Sequence, residues 1–471
     1  MKFKSTRTKI VCTIGPASES EHVIESMILG GMNVARLNFS HGTREDHRTK
    51  IRTIRRISDG LGVPVAILQD LGGPKIRIGT VAEPGVRLEV GDEFILTSEP
   101  VESGTFRVSV SYHPLPGEVR EGDTILLADG MLELKVVLVR EPDIHCEVVQ
   151  GGVLTSHKGI NLPTRTVGLP ALTEKDRLDL SLGISEGVDY VAVSFVRDPE
   201  DVSRVKRLIN ENGSDIPLVA KIEKHEAVKN LDDIMAAADG VMVARGDLGV
   251  EIPLAEVPMI QKRIIKEANL RGKPVITATQ MLRSMVESPR PTRAEATDVV
   301  NAVLDGTDAV MLSEETAMGS YPVEAVRFMA DLLRSAEQGF PHEHYLAMRP
   351  ETIVSPSVAH ASCVLAAHLN AAAIVPNTQS GLTAIHISRF RPACPILALS
   401  PHASTARRLC LYWGVQPRVI KKPKDTDDMI ESAAASVFNS GHVSTGDLVV
   451  ITAGHPVWVP GTTNMIRVKE I

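Results

Sequence analysis

Residues 217–247 read PLVAKIEKHEAVKNLDDIMAAADGVMVARGD. A short apolar run, PLVAKIE, gives way to a charged stretch of helical period, and a second apolar run, GVMVARGD, follows. Both runs are rich in Val, Ile, Leu and Ala, as strands buried on both faces are. The same unit recurs on either side. KIVCTIG, MNVARLNFS and PVAILQD lie between residues 9 and 75, and DYVAVSF, PVITATQ and AVMLSEE lie between 170 and about 340. Eight strand–helix units in tandem predict an α/β fold of the (β/α)8 TIM-barrel type. A doubly wound open sheet is the alternative. Capping boxes are expected at Ser18 with Glu21, Thr173 with Asp176 (a looser variant) and Thr292 with Glu295. Asp239-Gly240 and Asp305-Gly306 are expected to close helices.

The alternation breaks after the third run. Residues 74–169 show no helical period and read as short strands with turns between them: VGDEFILTS, EGDTILLADGMLELKVV and HCEVVQGG. They predict a small β domain inserted in a barrel loop, on the face where barrel enzymes keep their chemistry. From about 345 a third unit of helices and strands begins, with SPSVAHASCVLAAHLN, AAAIVPNT, GLTAIHISRF, PILALS, a helix through ARRLCLYW, LVVITAG and MIRVKE. The expected division is a barrel over 1–73 and 170–344, an inserted β-barrel lid over 74–169 and a C-terminal α/β domain over 345–471.

Composition narrows the function classes. Among 471 residues, 43% are hydrophobic and 23% charged, a globular balance. No apolar run reaches the roughly 18–20 residues that span a bilayer. The N-terminus lacks an apolar signal region. The five cysteines are scattered without a CxxC spacing, which argues for a reducing, cytoplasmic setting rather than disulfides or zinc. A net charge of −7 with no long basic block argues against nucleic acid as a partner, while an anionic substrate fits a local field.

In a barrel, polar residues at the C-terminal ends of strands are functional candidates. In MNVARLNFSHG, Arg36, Asn38 and Ser40 alternate with Leu37 and Phe39, so strand period two puts the polar groups on one face. An arginine buried there needs an anion. Lys221 and Glu223 end the VAKIE run, either as a structural pair or as part of a site. Asp247 ends the next strand, so Glu223 and Asp247 suit a hard divalent cation such as Mg2+. Gly246 allows close approach of backbone N–H groups to an anion. Thr277 and Thr279 bring hydroxyls to the following strand end, where one can orient a carboxylate or relay a proton. No Walker A pattern, GxGxxG after a strand or HExxH is found. In ILQDLGGPKIRIG (67–79), Asp70 is followed by a chain break and by Lys75 and Arg77.

At this point the chain resembles the pyruvate kinase family over nearly its whole length. The motifs are RTKIVCTIGPAS, GMNVARLNFSHG, GPKIR, KGINLP, LTEKD, VSFVR, AKIEKHEA, MVARGDLGVEI, ATQML, PRPTRAEATDVVNAVLDGTDAVMLSEETAMGSYPVEAV and GTTNMIRV. The resemblance implies a barrel, an inserted β-barrel and a C-terminal α/β domain. It implies Mg2+-dependent phosphoryl transfer (Mn2+ substituting) from phosphoenolpyruvate to ADP, giving pyruvate and ATP. On the matching positions, Arg36 binds substrate and Lys221 stabilises the transferring phosphoryl group. Glu223 and Asp247 hold Mg2+. The backbone of Gly246 and Asp247 and the Thr279 hydroxyl bind the substrate carboxylate; beyond the resemblance, a water chain ordered by Thr279 is the expected proton source for the enolate. Arg77 and Lys158, with Asn38, contact the nucleotide. Asn38, Ser40, Asp70 and the carbonyl of Leu71 match the K+ ligands.

The resemblance also implies departures. Many members carry glutamate at the position of Lys75 and threonine at that of Leu71, and these depend on K+; a second group has lysine and leucine, as here, and depends on it less. A lysine ammonium beside Asn38, Ser40 and Asp70 would stand in for K+. Thr378, Ser380 and Thr383, in PNTQSGLTA, resemble an effector pocket for a phosphorylated ligand at a helix N-terminus, with Gln379 where some members have lysine. The ending at GTTNMIRVKEI implies no appended phosphotransfer domain, and the family's usual assembly is a homotetramer. Two other classes fit parts of the pattern: a metal-dependent aldolase or lyase, and a metabolite-binding protein without turnover.

Overall fold

The structure is a computed structural model, and it describes residues 6–101, 106–163, 168–439, 441, 443–455 and 461–471. All eight apolar runs are strands of one closed parallel barrel. In chain order they are Lys9–Thr13, Val34–Asn38, Ala66–Asp70, Tyr190–Val193, Leu218–Ile222, Gly240–Ala244, Val275–Ala278 and Ala309–Leu312. The eighth pairs with the first, Lys9 opposite Ala309. The near-continuous apolar sequence follows from this closure. Residues such as Val11, Leu68, Val219 and Ile276 fill the barrel interior, while Ile10, Ile67, Leu218 and Val275 pack outward on the helices.

Thr173 and Thr292 cap their helices with reciprocal bonds to Asp176 and Glu295, and Thr43 with Asp46 forms a further box. The box expected at Ser18 is absent. The helix starts after Ser20, because Ser18 closes a turn on Gly15, accepting its N–H through Oγ at 3.2 Å. Asp305 caps its helix and Gly306 follows at φ +95°. The helix before Asp239 already ends at Ala237.

The inserted region is a six-stranded sheet plus a two-stranded one. The sheet curls. Residues 76–79 bond one edge through Ile160 N–H to Ile76 O (2.9 Å) and the other through Ser111 N–H to Arg77 O (2.8 Å). Its own apolar core includes Phe94, Leu96, Ile125, Leu134 and Ile144. One short helix, Leu115–Glu118, interrupts the strands. The insertion leaves the barrel ladder intact, with Leu68 opposite Tyr190.

The C-terminal unit is a five-stranded sheet, four strands parallel and the last antiparallel. Strand Val415–Val419 and helix Thr426–Phe438, capped by Asp425, were not foreseen. The ARRLCLYW stretch is helical only over Ala403–Arg408, then a 3-10 turn. This unit seals the N-terminal end of the barrel. Arg391, 2% exposed, binds both carboxylate oxygens of Asp308 at 2.8 and 3.0 Å and packs its guanidinium against Trp413. Tyr190 Oη donates to the Arg408 carbonyl oxygen, and Lys9 Nζ to that of Val415, each at 2.6 Å. Among the described residues no helix is long and apolar enough to cross a membrane.

Candidate active site

The opposite end of the barrel opens into a cavity of about 1090 Å3. Arg36, Asn38, Lys221, Asp247 and Thr279 all line it, contributed by four strand ends. Strand registry brings them together: Arg36 lies opposite Leu68 and Lys221 opposite Met242 in neighbouring parallel strands.

Asp70, 1% exposed, is the electrostatic hub. Arg36 grips its Oδ2 through Nε and Nη2, each at 2.7 Å, and Lys221 Nζ lies 3.5 Å from Oδ1. Burial by itself would raise the Asp70 carboxyl, but Lys221 and Arg36 outweigh it and hold it below the usual range. The reverse balance acts on Lys221. Burial opposes its charge, and Asp70 and Glu223 outweigh burial and raise its pKa. Lys221 is thus kept as an ammonium. It also donates to Ser194 Oγ at 2.7 Å, and Ser194 donates to the Leu71 carbonyl at 2.9 Å.

Glu223 is fully buried. Burial pushes its carboxyl up to about 7, with Lys221 opposing and Asp247 adding to the rise. Its Oε1 accepts the Phe195 N–H, while Oε2, 3.4 Å from Lys221, has no hydrogen-bond partner among the described residues. A buried carboxylate oxygen without a hydrogen bond, near a second carboxylate at Asp247, is a donor set of hard oxygens that fits a divalent cation.

Thr279 sits at φ +68° and Gln280 at +54°, a left-handed backbone that a β-branched residue adopts only under constraint. Arg245 supplies the constraint by donating to the carbonyl oxygens of Ala278 (3.1 Å) and Thr279 (2.8 Å) while pairing with Asp298 at 2.7 Å. The Thr279 hydroxyl accepts the Gly246 N–H at 2.8 Å. A Cβ on Gly246 would meet only ordinary contacts, so its glycine is not sterically required by the chain itself. Thr277 is not at the site; it is fully buried and its hydroxyl bonds Thr307 at 2.9 Å.

Other expected residues stand apart from the cavity lining. Arg77 and Lys158 belong to the inserted region. Arg77 Nη1 donates to the His157 carbonyl at 3.0 Å and Lys158 is exposed. Lys75 differs from expectation. Its ammonium is 3.4 Å from Asp247 and 3.4 Å from Asp129, rather than beside Asn38, Ser40 and Asp70. The reason is that Arg36 and Lys221 already compensate Asp70, leaving Asp247 as the open carboxylate. Asn38 Oδ1 accepts the Ser40 N–H at 3.2 Å. In the C-terminal unit, Thr378 Oγ1 accepts the Gly381 N–H at 3.0 Å, Thr383 bonds Thr463 at 2.6 Å and Ser380 is exposed.

Sequence reasoning missed Ser194, Phe195, Thr13 (which accepts from Arg36 at 2.9 Å) and Arg245. Ser194 and Arg245 follow directly on apolar runs, so the strand-end criterion could have found them.

The family profile described as pyruvate kinase, barrel domain, matches residues 5–326. The chain belongs to the pyruvate kinase family. The profile of the pyruvate kinase alpha/beta domain matches residues 356–469. A pyruvate kinase of Staphylococcus aureus (strain MRSA252) is 48% identical over 471 residues, covering 99% of this chain and 80% of that protein. Pyruvate kinase 2 of Synechocystis sp. is 48% identical over 469 residues, covering 99% and 79%.

Proposed function

We propose that this chain transfers the phosphoryl group of phosphoenolpyruvate to ADP, producing pyruvate and ATP. The observation that carries the reading is the grouping of Arg36 and Lys221 with Glu223 and Asp247 at one barrel mouth under an inserted domain. Arg36 anchors the phosphate of the substrate. Lys221 sets a fixed positive charge where negative charge moves from donor to acceptor oxygen. Gly246 N–H and the Thr279 hydroxyl receive the substrate carboxylate, exchanging the bond they make with each other. Phosphoryl departure leaves an enolate. A water ordered by Thr279 then delivers a proton to its methylene carbon, giving pyruvate. Mg2+, or Mn2+ in its place, held by Glu223 and Asp247, supplies charge neutralisation and Lewis acidity when bound. Arg77, Lys158 and Asn38 hold the nucleotide phosphates, and the 74–169 domain closes over the site and excludes water. The barrel over 1–73 and 170–344 and the 345–471 domain complete the proposed division.

We propose that K+ is not required. Of the four matched K+ ligands, Asp70 is held by Arg36, Asn38 Oδ1 by the Ser40 N–H and the Leu71 carbonyl by Ser194, with Ser40 completing the set. Lys75 is a built-in monovalent cation, and to serve beside these groups it must leave Asp247. A phosphorylated effector at Thr378, Ser380 and Thr383, a homotetramer and a cytoplasmic location belong to the same reading.

The test is pyruvate formation from phosphoenolpyruvate, ADP and Mg2+ in tetramethylammonium buffer, with and without KCl. Equal rates support both statements. Strong KCl stimulation keeps the reaction and removes the potassium claim. Pyruvate release without ADP points to a lyase, and Mg2+ binding without turnover to a metabolite binder.

A further inference from the structure

Among its contacts with the barrel, the inserted domain reaches one short helix, Arg245–Glu251, which also carries Asp247. Three contacts line up on it. Asn161 Nδ2 donates to Glu251 Oε1 at 2.9 Å, beside Lys224 Nζ at 2.7 Å on the same oxygen. Gly130 faces Val250, whose methyl would lie 3.6 Å from a Cβ placed there. Lys75 Nζ lies between Asp129 and Asp247, 3.4 Å from each. Asp129 sits in a tight turn at φ +56° between Ala128 (φ +51°) and Gly130 (φ +84°), which aims its carboxylate at the barrel. The Lys75 stem lies flat on Gly159, where a Cβ would come within 2.5 Å of Cε. The ammonium is thereby directed to one place. At the mouth, Arg36 and Lys221 lie beside Asp70, Lys221 beside Glu223 and Lys75 beside Asp247, so each of these three carboxyl groups already has a cationic neighbour.

We propose that Asp129 is a positioning residue that holds Lys75 on Asp247 as a resident cation, and that a divalent cation must displace Lys75 to bind. This rests on the reading of Glu223 and Asp247 as metal ligands. Two like charges cannot share the Asp247 carboxylate without repulsion, so loading the metal releases Lys75. Once Lys75 is released, the inserted domain loses one of the contacts it makes with this helix. Metal loading and loosening of the lid are then a single event, ahead of nucleotide entry.

The experiment is Mn2+ binding without substrate or nucleotide, followed by the free-ion resonance signal, together with amide exchange of residues 128–131. It uses wild type, Lys75→Met, Asp129→Asn and Glu223→Gln. Lys75→Met is expected to bind Mn2+ about two- to fivefold tighter, the range for a partly exposed ion pair, and Asp129→Asn less than that. Exchange at the turn should quicken with Mn2+ in wild type and be fast without it in Lys75→Met. Unchanged or weaker binding by Lys75→Met, with exchange like wild type, overturns the proposal. Glu223→Gln should lose Mn2+ binding. If it binds like wild type, the metal-site reading fails, and metal-free exchange in Lys75→Met still decides whether Lys75 holds the lid.

Discussion

Arg245 donates to the carbonyl oxygen of Thr279 at 2.8 Å, and Thr279 holds a left-handed backbone at φ +68°. The guanidinium never touches the cavity centre, yet it fixes where the Thr279 hydroxyl points. Arg245→Met removes the brace, taking away one donor from each of two carbonyls and the partner of Asp298. We expect kcat/KM for phosphoenolpyruvate to fall by about 10- to 100-fold, since misplacement of a positioning group by an ångström is that costly. Steady-state kinetics beside a thermal melt will separate this from unfolding; the melt should move by only a few degrees.

Asp70→Asn tests the hub. Arg36 and Lys221 would lose the charge that balances both. Breaking a buried pair by removing one partner costs about 3–5 kcal/mol. A drop in kcat of about 100-fold with retained circular dichroism is expected. Near-normal turnover would mean that Arg36 is held in place by Thr13 alone.

Lys9 offers a pH test away from the chemistry. Burial lowers its pKa from 10.5 to about 8, against the pull of Cys410, Glu337 and Asp308. A lysine depressed in the folded state costs stability at every pH below its folded value. The cost is relieved as pH rises from about 8 to 10.5, where the unfolded chain holds the proton and the native chain does not. Lys9→Met, despite losing the bond to Val415, is expected to be more stable than wild type at pH 7 by about 1–2 kcal/mol. The gain should shrink toward pH 10.5 in denaturant titrations.

Arg391→Met leaves Asp308 as an unpaired buried carboxylate, with Asn269 and the Gly306 carbonyl losing donors as well. A loss of about 3–5 kcal/mol is expected. Calorimetry should then resolve the C-terminal unit as a separate, earlier transition.

The barrel was legible because burial on both faces writes the same signature eight times, from KIVCT to AVML. The polar strand ends were legible for the same reason: Arg36 and Lys221 stand out against apolar neighbours. What the sequence hid was set by tertiary partners. Strand Val415–Val419 carries Gln416, Pro417 and Arg418 and becomes a strand only by pairing with Ile396–Ser400 at a sheet edge. Ser18 resembles a cap, but a local turn on Gly15 claims its hydroxyl first. Lys75 was read from its neighbours in sequence, whereas its position follows from Asp129 and Asp247, 54 and 172 residues further on. Thr279 and Phe195 give no sequence sign of their positive φ, because Arg245 and Glu223 impose it from other strands.

The insertion after the third strand also has a meaning for synthesis. Asp70 ends that strand, and its neighbour begins at Tyr190, so the ribosome adds about 120 residues between them, roughly 6–24 s of translation. Throughout that interval the third strand has an unpaired edge of the kind that invites aggregation. The material emerging meanwhile has its own apolar core and curled sheet, and all of its strand pairs, including the local ones at 124–150 and a longer one that joins Phe94 to Cys146, close within that stretch. It can finish folding while the barrel waits, so the nascent chain presents a completed globule beside an open half-barrel rather than 190 residues of unfinished sheet.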